Sequence, residues 1–322
     1  MRWVAVFLAL ILSSLIPAQS SLAAKYAGES FSLGVGARGL GLGGAVIAGP
    51  FDATAAYWNP AGMNLLSGRY LVAMHAETFG SLLNHDYVSY IDARPRDNSL
   101  IRAFGFYVYY LGGGGIKITQ LNQFDRPYVV AEESHADVLV AAAVSGKIRS
   151  KIDFGLTAKI IYRDLGTESG MGLTLDAGAL YQVRPWAEVG LMVTDITTGF
   201  IRYSGKTFSE GAHSESIYPT VKPGFALTKR YRDFTGRFMA SGDIKFEGIK
   251  SAAMYWAGPV SLDTHYGWEL GYREMLFGRV GFDMANFTAG AGVALKKITV
   301  DFAYLHHSEL DNTFRVSAGY RF

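Results

Sequence analysis

The stretch IDFGLTAKIIYR, residues 152–163, carries the pattern that decides the fold. Every second residue, starting from Ile152, is apolar, whereas the alternate positions include Asp153, Lys159 and Arg163. Because successive side chains of a β-strand point to opposite faces, the stretch predicts a strand with one apolar and one charged face. Its length is close to the ~9–11 residues with which a tilted strand crosses a bilayer.

The same alternation recurs along most of the chain. One such strand would also suit a soluble β-sandwich, but many long repeats favour a membrane barrel, in which every backbone group is paired. An even number of strands is typical of single-chain bacterial barrels. We predict an all-β fold, a transmembrane antiparallel barrel of fourteen strands, at residues 69–79, 86–93, 100–110, 136–147, 152–163, 171–182, 186–196, 220–228, 236–246, 261–273, 276–284, 285–295, 297–306 and 313–322.

The connectors between these predicted strands fall into two alternating sets. If the first strand runs outward, the connectors longer than ten residues, 111–135, 197–219 and 247–260, all lie on the outer side. The periplasmic set is short and rich in Arg and Lys. Long outer loops and short periplasmic turns are what such barrels have.

Composition excludes several other classes of protein. The 322 residues carry a net charge of +2, so nothing indicates a nucleic-acid partner. The absence of cysteine excludes a disulfide framework and a thiolate metal site. The 38 glycines and 14% aromatic residues suit many tilted strands with aromatic girdles.

Residues 1–24 are predicted to be a signal peptide. Arg2 precedes an apolar run from Val4 to Ile16, Pro17 ends the run, and small residues near Ala24 offer a cleavage site. A membrane anchor is the alternative, but the run is shorter than the ~20 residues of a spanning helix. No later run approaches ~18 apolar residues, so export leaves a secreted β-rich protein or, as the alternation favours, a barrel in the cell outer membrane.

Residues 25–68 differ from the predicted barrel at 69–322, since small residues dominate and alternation is absent. They include GARGLGLGGA (36–45) and DATAAYWNPAGM (52–63). Pro60 ends any helix begun near Asp52 and forces Asn59 toward extended geometry. We expect this segment to fold inside the barrel as a plug.

These two stretches resemble the N-terminal hatch of the FadL-type hydrophobic-compound transporter superfamily, and are closer still to its PorV/PorQ-like branch. The close match covers about thirty residues, and Asn59-Pro60-Ala61 is its most diagnostic part. The resemblance implies a hatch that plugs the lumen, whose motif residues are Arg38, Gly39, Gly43, Gly44, Asp52, Trp58, Asn59, Pro60, Ala61 and Gly62.

The resemblance implies two alternative functions. One is passage of a hydrophobic small molecule, fatty-acid-like or an aromatic hydrocarbon, across the outer membrane. The other is a PorV-like, non-enzymatic scaffold or shuttle that binds a secreted protein through the outer loops. A mostly apolar pocket suits hydrophobic cargo. Its candidate contacts are Leu40, Leu42, Val46, Ile47 and Phe51 near the hatch, with Phe79 and Leu111 at the outer rim.

The last strand ends in Tyr320 and Phe322, which share the apolar parity. A terminal aromatic residue on such a strand resembles the signal recognised by the outer-membrane barrel-assembly machinery. Besides that machinery, the expected partners are outer-membrane lipid and either a hydrophobic small molecule or a secreted protein.

Motifs of other chemistries are weak. Gly34-x-Gly36-x-x-Gly39 matches a dinucleotide fingerprint but follows no predicted strand, and the chain has no G-x-S-x-G elbow. We therefore expect no enzyme activity, cofactor or metal. The predicted lumen-facing charges mix both signs, which favours mutual pairing that holds the hatch, with a polar substrate path as the alternative. They are Asp153, Lys159, Arg163, Asp176, Glu188, Asp243, Lys245, Glu247, Glu269, Arg273, Arg279, Asp283, Asp301, Arg315 and Arg321.

Overall fold

The computed structural model is built mainly of β-strands. It describes residues 28–78, 82–94, 100–149, 151–166, 168–197, 200–205, 213–246, 253–307 and 311–322. The predicted signal peptide, Phe79 and Glu247 lie outside these residues. The strands are β1 (Gly68–Thr78), β2 (Leu83–Ala93), β3 (Ile101–Leu121), β4 (Pro127–Arg149), β5 (Ile152–Asp164), β6 (Glu168–Arg184), β7 (Ala187–Thr194), β8 (Phe200–Gly205), β9 (His213–Ser216), β10 (Thr220–Tyr231), β11 (Phe234–Lys245), β12 (Tyr255–Ala257), β13 (Val260–Tyr272), β14 (Leu276–Asp283), β15 (Asn286–Leu295), β16 (Ile298–Leu305) and β17 (Thr313–Arg321).

Fourteen of these strands form a closed antiparallel barrel. Each pairs with the next barrel strand along the chain, β7 with β10 and β11 with β13, and β17 pairs back with β1 from Arg321 opposite Tyr70 to Phe314 opposite Glu77. The fourteen predicted strands therefore correspond one for one to the barrel strands. Closure leaves the barrel with no unpaired sheet edge.

The alternation in the sequence is an alternation between lumen and outer surface. In β5, Lys159 and Asp153 are buried, whereas Leu156 and Ile160 are 49% and 53% exposed. Tyr320 and Phe322 lie on the outer face and pack edge to face. An apolar outer face on a closed barrel is the arrangement that a bilayer accepts. Within the described part of the chain, no helix has the length and apolar character to cross a membrane.

The connectors divide the barrel into a short-turn end and a long-loop end. Turns such as 185–186, 232–233 and 296–297 lie at the short-turn end. The interpretation of 111–135 as a loop is wrong, because β3 and β4 continue as a paired hairpin with Leu121 opposite Pro127. Both faces of this extension are largely exposed, and four glycines begin it, so it has no alternating pattern.

The other two long connectors also contain strands. β8 extends the edge of β6 beyond β7 and pairs with β9, and β12 extends the edge of β13 beyond β14. These three short strands lie outside the barrel ring, where they lengthen the wall at the long-loop end.

Residues 28–67, here called the N-terminal segment, precede the barrel. The segment contains 3₁₀ turns at Glu29–Phe31 and Pro60–Leu65 and the short helices α1 (Ala37–Gly41) and α2 (Ala55–Trp58). As predicted from Pro60, α2 ends before Asn59, whose φ of −162° is extended. Most residues of the segment are buried.

The N-terminal segment lies against the inner face of the wall, and two wall glycines permit the approach. A Cβ at Gly267 would lie 2.6 Å from the carbonyl oxygen of Leu42, and one at Gly190 would lie 2.5 Å from that of Ile47. The backbone N–H of Ala37 also donates to the Ser317 hydroxyl at 2.7 Å. The backbone of the segment therefore replaces side chains that would otherwise fill the lumen.

Gly267→Val is expected to displace the segment without opening the barrel. The valine side chain meets a backbone carbonyl, and such overpacking costs about 1–3 kcal/mol. Limited proteolysis should then cleave the N-terminal segment faster, while the heat-modifiable mobility of the folded barrel on gels stays unchanged. Gly278→Val is the matched control, because a Cβ at Gly278 meets nothing within 4 Å. Equal protease resistance of the two variants would contradict this account.

Candidate functional site

The sequence stretches 36–45 and 52–63 pack on each other through Trp58. Its indole N–H donates to the carbonyl of Val35 at 3.0 Å. Its ring covers Gly34 and Gly39, where an added Cβ would come within 2.8 and 2.9 Å of ring atoms. Gly34 and Gly39 therefore leave the space that the Trp58 ring occupies.

Asn59 joins the motif to the barrel wall. Its side-chain oxygen accepts from the Ala61 N–H at 3.1 Å, and its amide donates to the carbonyls of Ile47 at 2.9 Å and Ala179 at 3.4 Å. The side chain is fully buried, so an apolar replacement would leave these groups unpaired. Pro60 follows it and lies against Gly155 of β5.

Arg38 of the motif binds the wall through Glu269 of β13. The guanidinium makes a two-pronged contact with the carboxylate, at 3.0 Å and 2.8 Å. Glu269 also accepts from Arg237 and Arg279, each at 2.7 Å. Burial lowers the pKa of Arg38, but the attraction of Glu269 outweighs burial and raises it overall.

The predicted mutual pairing is confirmed for most of the lumen charges, whereas Arg315 donates to the backbone carbonyls of Gly34 and Leu33 and Glu188 forms no ion pair with a described residue. Lys159 Nζ lies 2.7 Å from both Asp176 and Asp195. Lys222 contacts Asp243 at 2.5 Å. The other paired members include Arg163 with Asp137, His265 with Asp283, and Arg279 with Asp301. Arg273 and Arg321 are exposed at the short-turn end rather than in the lumen. No metal-binding group of His, Asp and Glu occurs among the described residues.

A chamber of about 90 Å³ lies between the N-terminal segment and the wall, in the half of the lumen nearer the long-loop end. One side of its lining is apolar and aromatic: Phe31, Tyr57, Trp58, Tyr107, Leu139, Ile161 and Ile217. The other side holds the ion-paired groups Lys159, Asp176, Asp195, Lys222 and Asp243. The chamber therefore offers an apolar surface next to charged groups that already have ion-pair partners.

Buried aromatic side chains extend the apolar side of the chamber into the wall. Tyr57 donates its hydroxyl proton to the Phe31 carbonyl at 2.8 Å, and its ring contacts those of Tyr87, Tyr107 and Tyr109. Burial raises the pKa of the Tyr57 hydroxyl, so it is neutral across the physiological range. The aromatic edges and faces provide the contacts that a small aromatic molecule prefers.

The predicted ligand contacts do not converge on this chamber. Leu42 and Val46 pack with Leu180, Ala226 and Met239 in a closed apolar cluster. The remaining positions are scattered. Leu40 packs against Ala303, and it also borders a cavity of about 40 Å³ together with Ile47. Phe51 borders a different cavity, of about 260 Å³, at the short-turn end.

Leu111 was expected at the outer rim, and this placement is wrong. It belongs to β3, is 2% exposed, and packs in the same interior cluster as Tyr107 and Tyr109. The error follows from ending the third strand at residue 110, whereas β3 continues to Leu121.

The sequence interpretation identified Trp58 and several of the charged residues of the chamber lining, but it missed most of the apolar side, namely Phe31, Tyr57, Tyr107, Leu139, Ile161 and Ile217. A signal for two of them was present, because Ile161 and Tyr107 are apolar or aromatic residues on the lumen-facing parity of β5 and β3. Side chains of this kind on a charged face need an apolar neighbour. Which neighbour they meet depends on the N-terminal segment, more than forty positions away in the chain.

The fold is shared with several solved channels. CymD, described as a monoaromatic hydrocarbon channel, aligns with a TM-score of 0.57 at 13% identity over 90% of this chain and 98% of its own. The toluene transporter TodX of Pseudomonas putida aligns at 0.53 with 11% identity over 89% and 96%. A Pseudomonas aeruginosa FadL homologue aligns at 0.50 with 12% identity over 88% and 97%.

The sequence matches no family model and no curated protein. The similarity is therefore one of structure, and it establishes that this chain has the fourteen-stranded FadL-like barrel fold.

Glu269→Gln is expected to lower the free energy of unfolding by about 3–5 kcal/mol, because it leaves the buried guanidinium of Arg38 without its paired carboxylate. Asp233→Asn is the control. It removes an exposed pair with Arg273 at 3.3 Å, and exposed pairs contribute at most about 1 kcal/mol. Urea unfolding of both variants in detergent measures the difference. Similar, small losses in both would refute a structural role for the Glu269 cluster.

Proposed function

We propose that this protein lies in a bacterial outer membrane and lets small hydrophobic molecules, aromatic or fatty-acid-like, pass through it. The observation that carries the proposal is the chamber lined by Phe31, Tyr57, Tyr107 and Ile161. The described transport of monoaromatic hydrocarbons and toluene by channels of the same fold supports it. It requires no catalysis, so we propose a non-enzymatic channel without a cofactor.

The size of the chamber favours small cargo. Its volume of about 90 Å³ is well below the ~300–1,000 Å³ typical of drug-sized ligand sites. A molecule with one ring or a short chain matches this volume better than a long acyl chain does. The paired charges on the opposite side reduce the cost of exposing apolar cargo to that surface, because each charge already has a partner.

We propose further that the N-terminal segment is the hatch of the channel. By the rule that periplasmic turns are short, the long-loop end with the chamber faces outward. The segment separates this chamber from the cavity of about 260 Å³ beside Phe51 and Tyr70 at the short-turn end. Passage would therefore need the segment, held at Arg38 and Asn59, to shift locally. Leu40 and Ile47 border the cavity of about 40 Å³, and both remain proposed contacts along this path.

The terminal residues Tyr320 and Phe322 fit a role in assembly. Both are exposed on the outer face of the barrel, at 40% and 50% of their surface. An aromatic pair there is accessible to a barrel-assembly machinery before the strand closes against β1. This role remains a proposal based on the sequence resemblance and on exposure.

One observation favours the alternative of a PorV-like scaffold. The β3–β4 hairpin extends beyond the barrel from Gly112 to Ala136 and exposes Ile116, Phe124 and Val129. Exposed apolar side chains on a protruding hairpin can bind a protein. This surface is independent of the chamber.

Ile161→Trp is expected to reduce uptake of a small aromatic hydrocarbon into proteoliposomes by at least about fivefold, because the larger ring fills the chamber and costs about 1–3 kcal/mol when cargo enters. Ile160→Trp is the matched control, since Ile160 faces outward and is 53% exposed. Equal uptake by the two variants would remove the chamber from the transport path.

Replacing residues 113–135 with a two-residue turn separates the two functions. A channel is expected to keep its uptake, because the paired wall below Gly112 is intact. A scaffold is expected to lose a co-purifying partner that the full-length protein retains in a pull-down. Loss of uptake together with retention of a partner would contradict both assignments.

A further inference from the structure

The outer surface of the barrel has an apolar groove near the short-turn end, separate from the chamber. Its volume is about 1,110 Å³, and it is lined by outward-facing side chains from the β6–β7 turn to β14: Trp186, Leu227, Phe238, Trp268, Leu270 and Val280. Trp268 and Leu270 are 42% and 56% exposed. The groove therefore opens away from the lumen.

The groove arises where two glycines share one outward-facing row of the wall. In one outward-facing row, Lys229, Gly236, Leu270, Gly278 and Ala291 lie next to one another. A Cβ at Gly278 would meet nothing within 4 Å, and one at Gly236 only a carbonyl at 4.0 Å. Neither glycine is needed for a positive φ angle. Their lack of a side chain thus leaves space on the outer face.

Rows of large side chains lie on both sides of the row that contains Gly236 and Gly278. Toward the middle of the barrel the row is Leu227, Phe238, Trp268 and Val280. Toward the short-turn end the row is Tyr231, Phe234, Tyr272 and Leu276. Aromatic residues in the outermost row are typical of the interface between the hydrocarbon region and the head groups. The groove therefore lies at the depth where an acyl chain meets its head group.

Lys229 places a positive charge at the end of the groove. It is exposed on the outward parity and forms no ion pair with any described residue. Arg230 follows it. The outward-facing positions of β10, β11, β13, β14 and β15 around the groove contain no carboxylate. A cation at this depth attracts an anionic group, and none of the outward-facing side chains of these strand rows supplies one.

We propose that the groove binds one anionic phospholipid of the inner leaflet, with an acyl chain over Gly236 and Gly278 and its phosphate on Lys229. The apolar lining fits the chain, and the unpaired ammonium fits the head group, as basic pockets on other membrane proteins do. A second copy of the chain fits the groove less well, because the same face of that copy would bring another Lys229 and no carboxylate to pair with the first.

The test is native mass spectrometry of the folded barrel released from detergent after incubation with phosphatidylglycerol or with phosphatidylcholine of the same chains. The wild-type protein is expected to retain phosphatidylglycerol preferentially. Lys229→Ala should weaken its apparent affinity for phosphatidylglycerol about fivefold, the effect of one basic residue near a membrane surface. Gly278→Trp should abolish binding of both lipids by filling the groove.

Two variants control for the substitutions themselves. Ala158→Trp places the same ring on the outer face of β5, and Lys151→Ala removes an exposed lysine from another short turn. Both are expected to bind phosphatidylglycerol as the wild type does. Equal retention of the two lipids by the wild type, or equal binding by Gly278→Trp and Ala158→Trp, would overturn the proposal. A dimer that Gly278→Trp dissociates would overturn it in favour of a second copy.

Discussion

The seating of the N-terminal segment depends on one buried carboxylate. Glu269 accepts hydrogen bonds from Arg38, Arg237 and Arg279, and its side chain is inaccessible to solvent. A buried carboxylate is stable only when its charge is compensated. Here three guanidinium groups are balanced by Glu269, by Asp301 on Arg279 and by Glu274 on Arg237. The cluster thus joins the segment to four barrel strands, β11, β13, β14 and β16, without a net charge in the lumen.

The remaining lumen charges follow the same rule and thereby shape the chamber. Lys159 is paired with Asp176 and Asp195, and Lys222 is paired with Asp243, so both ammonium groups on the charged side of the chamber have carboxylate partners. The apolar side depends on the segment, since Phe31 and Tyr57 belong to it and Tyr107 and Ile161 belong to the wall. The chamber therefore exists only because the N-terminal segment packs against the wall. The contacts between the segment and the wall, which occupy the lumen, also form the apolar surface that hydrophobic cargo would meet.

Much of this architecture can be predicted from the sequence because the information is local. The parity of residues 152–163 identifies the lumen face of β5, and the fourteen strands and their mixed lumen charges follow from repeating that argument. The alternation does not reveal the extended hairpin of β3 and β4, since a strand exposed on both faces needs no alternation. It does not reveal the chamber either, because the two sides of the chamber are far apart in the chain. The motif leucines were assigned to cargo, yet Leu42 is fully buried against the wall, and its apolar character is explained by packing alone.

The wall uses glycine for opposite purposes on its two faces. On the lumen face, the space above Gly190 and Gly267 is occupied by the backbone of the segment. On the outer face, the space above Gly278 is not occupied by any atom of the protein. A missing side chain on an outer face costs apolar contact area unless another molecule supplies it. In a bilayer that molecule is a lipid. Because Lys229 lies beside the groove, an anionic lipid would both cover the empty apolar surface and pair with the lysine charge.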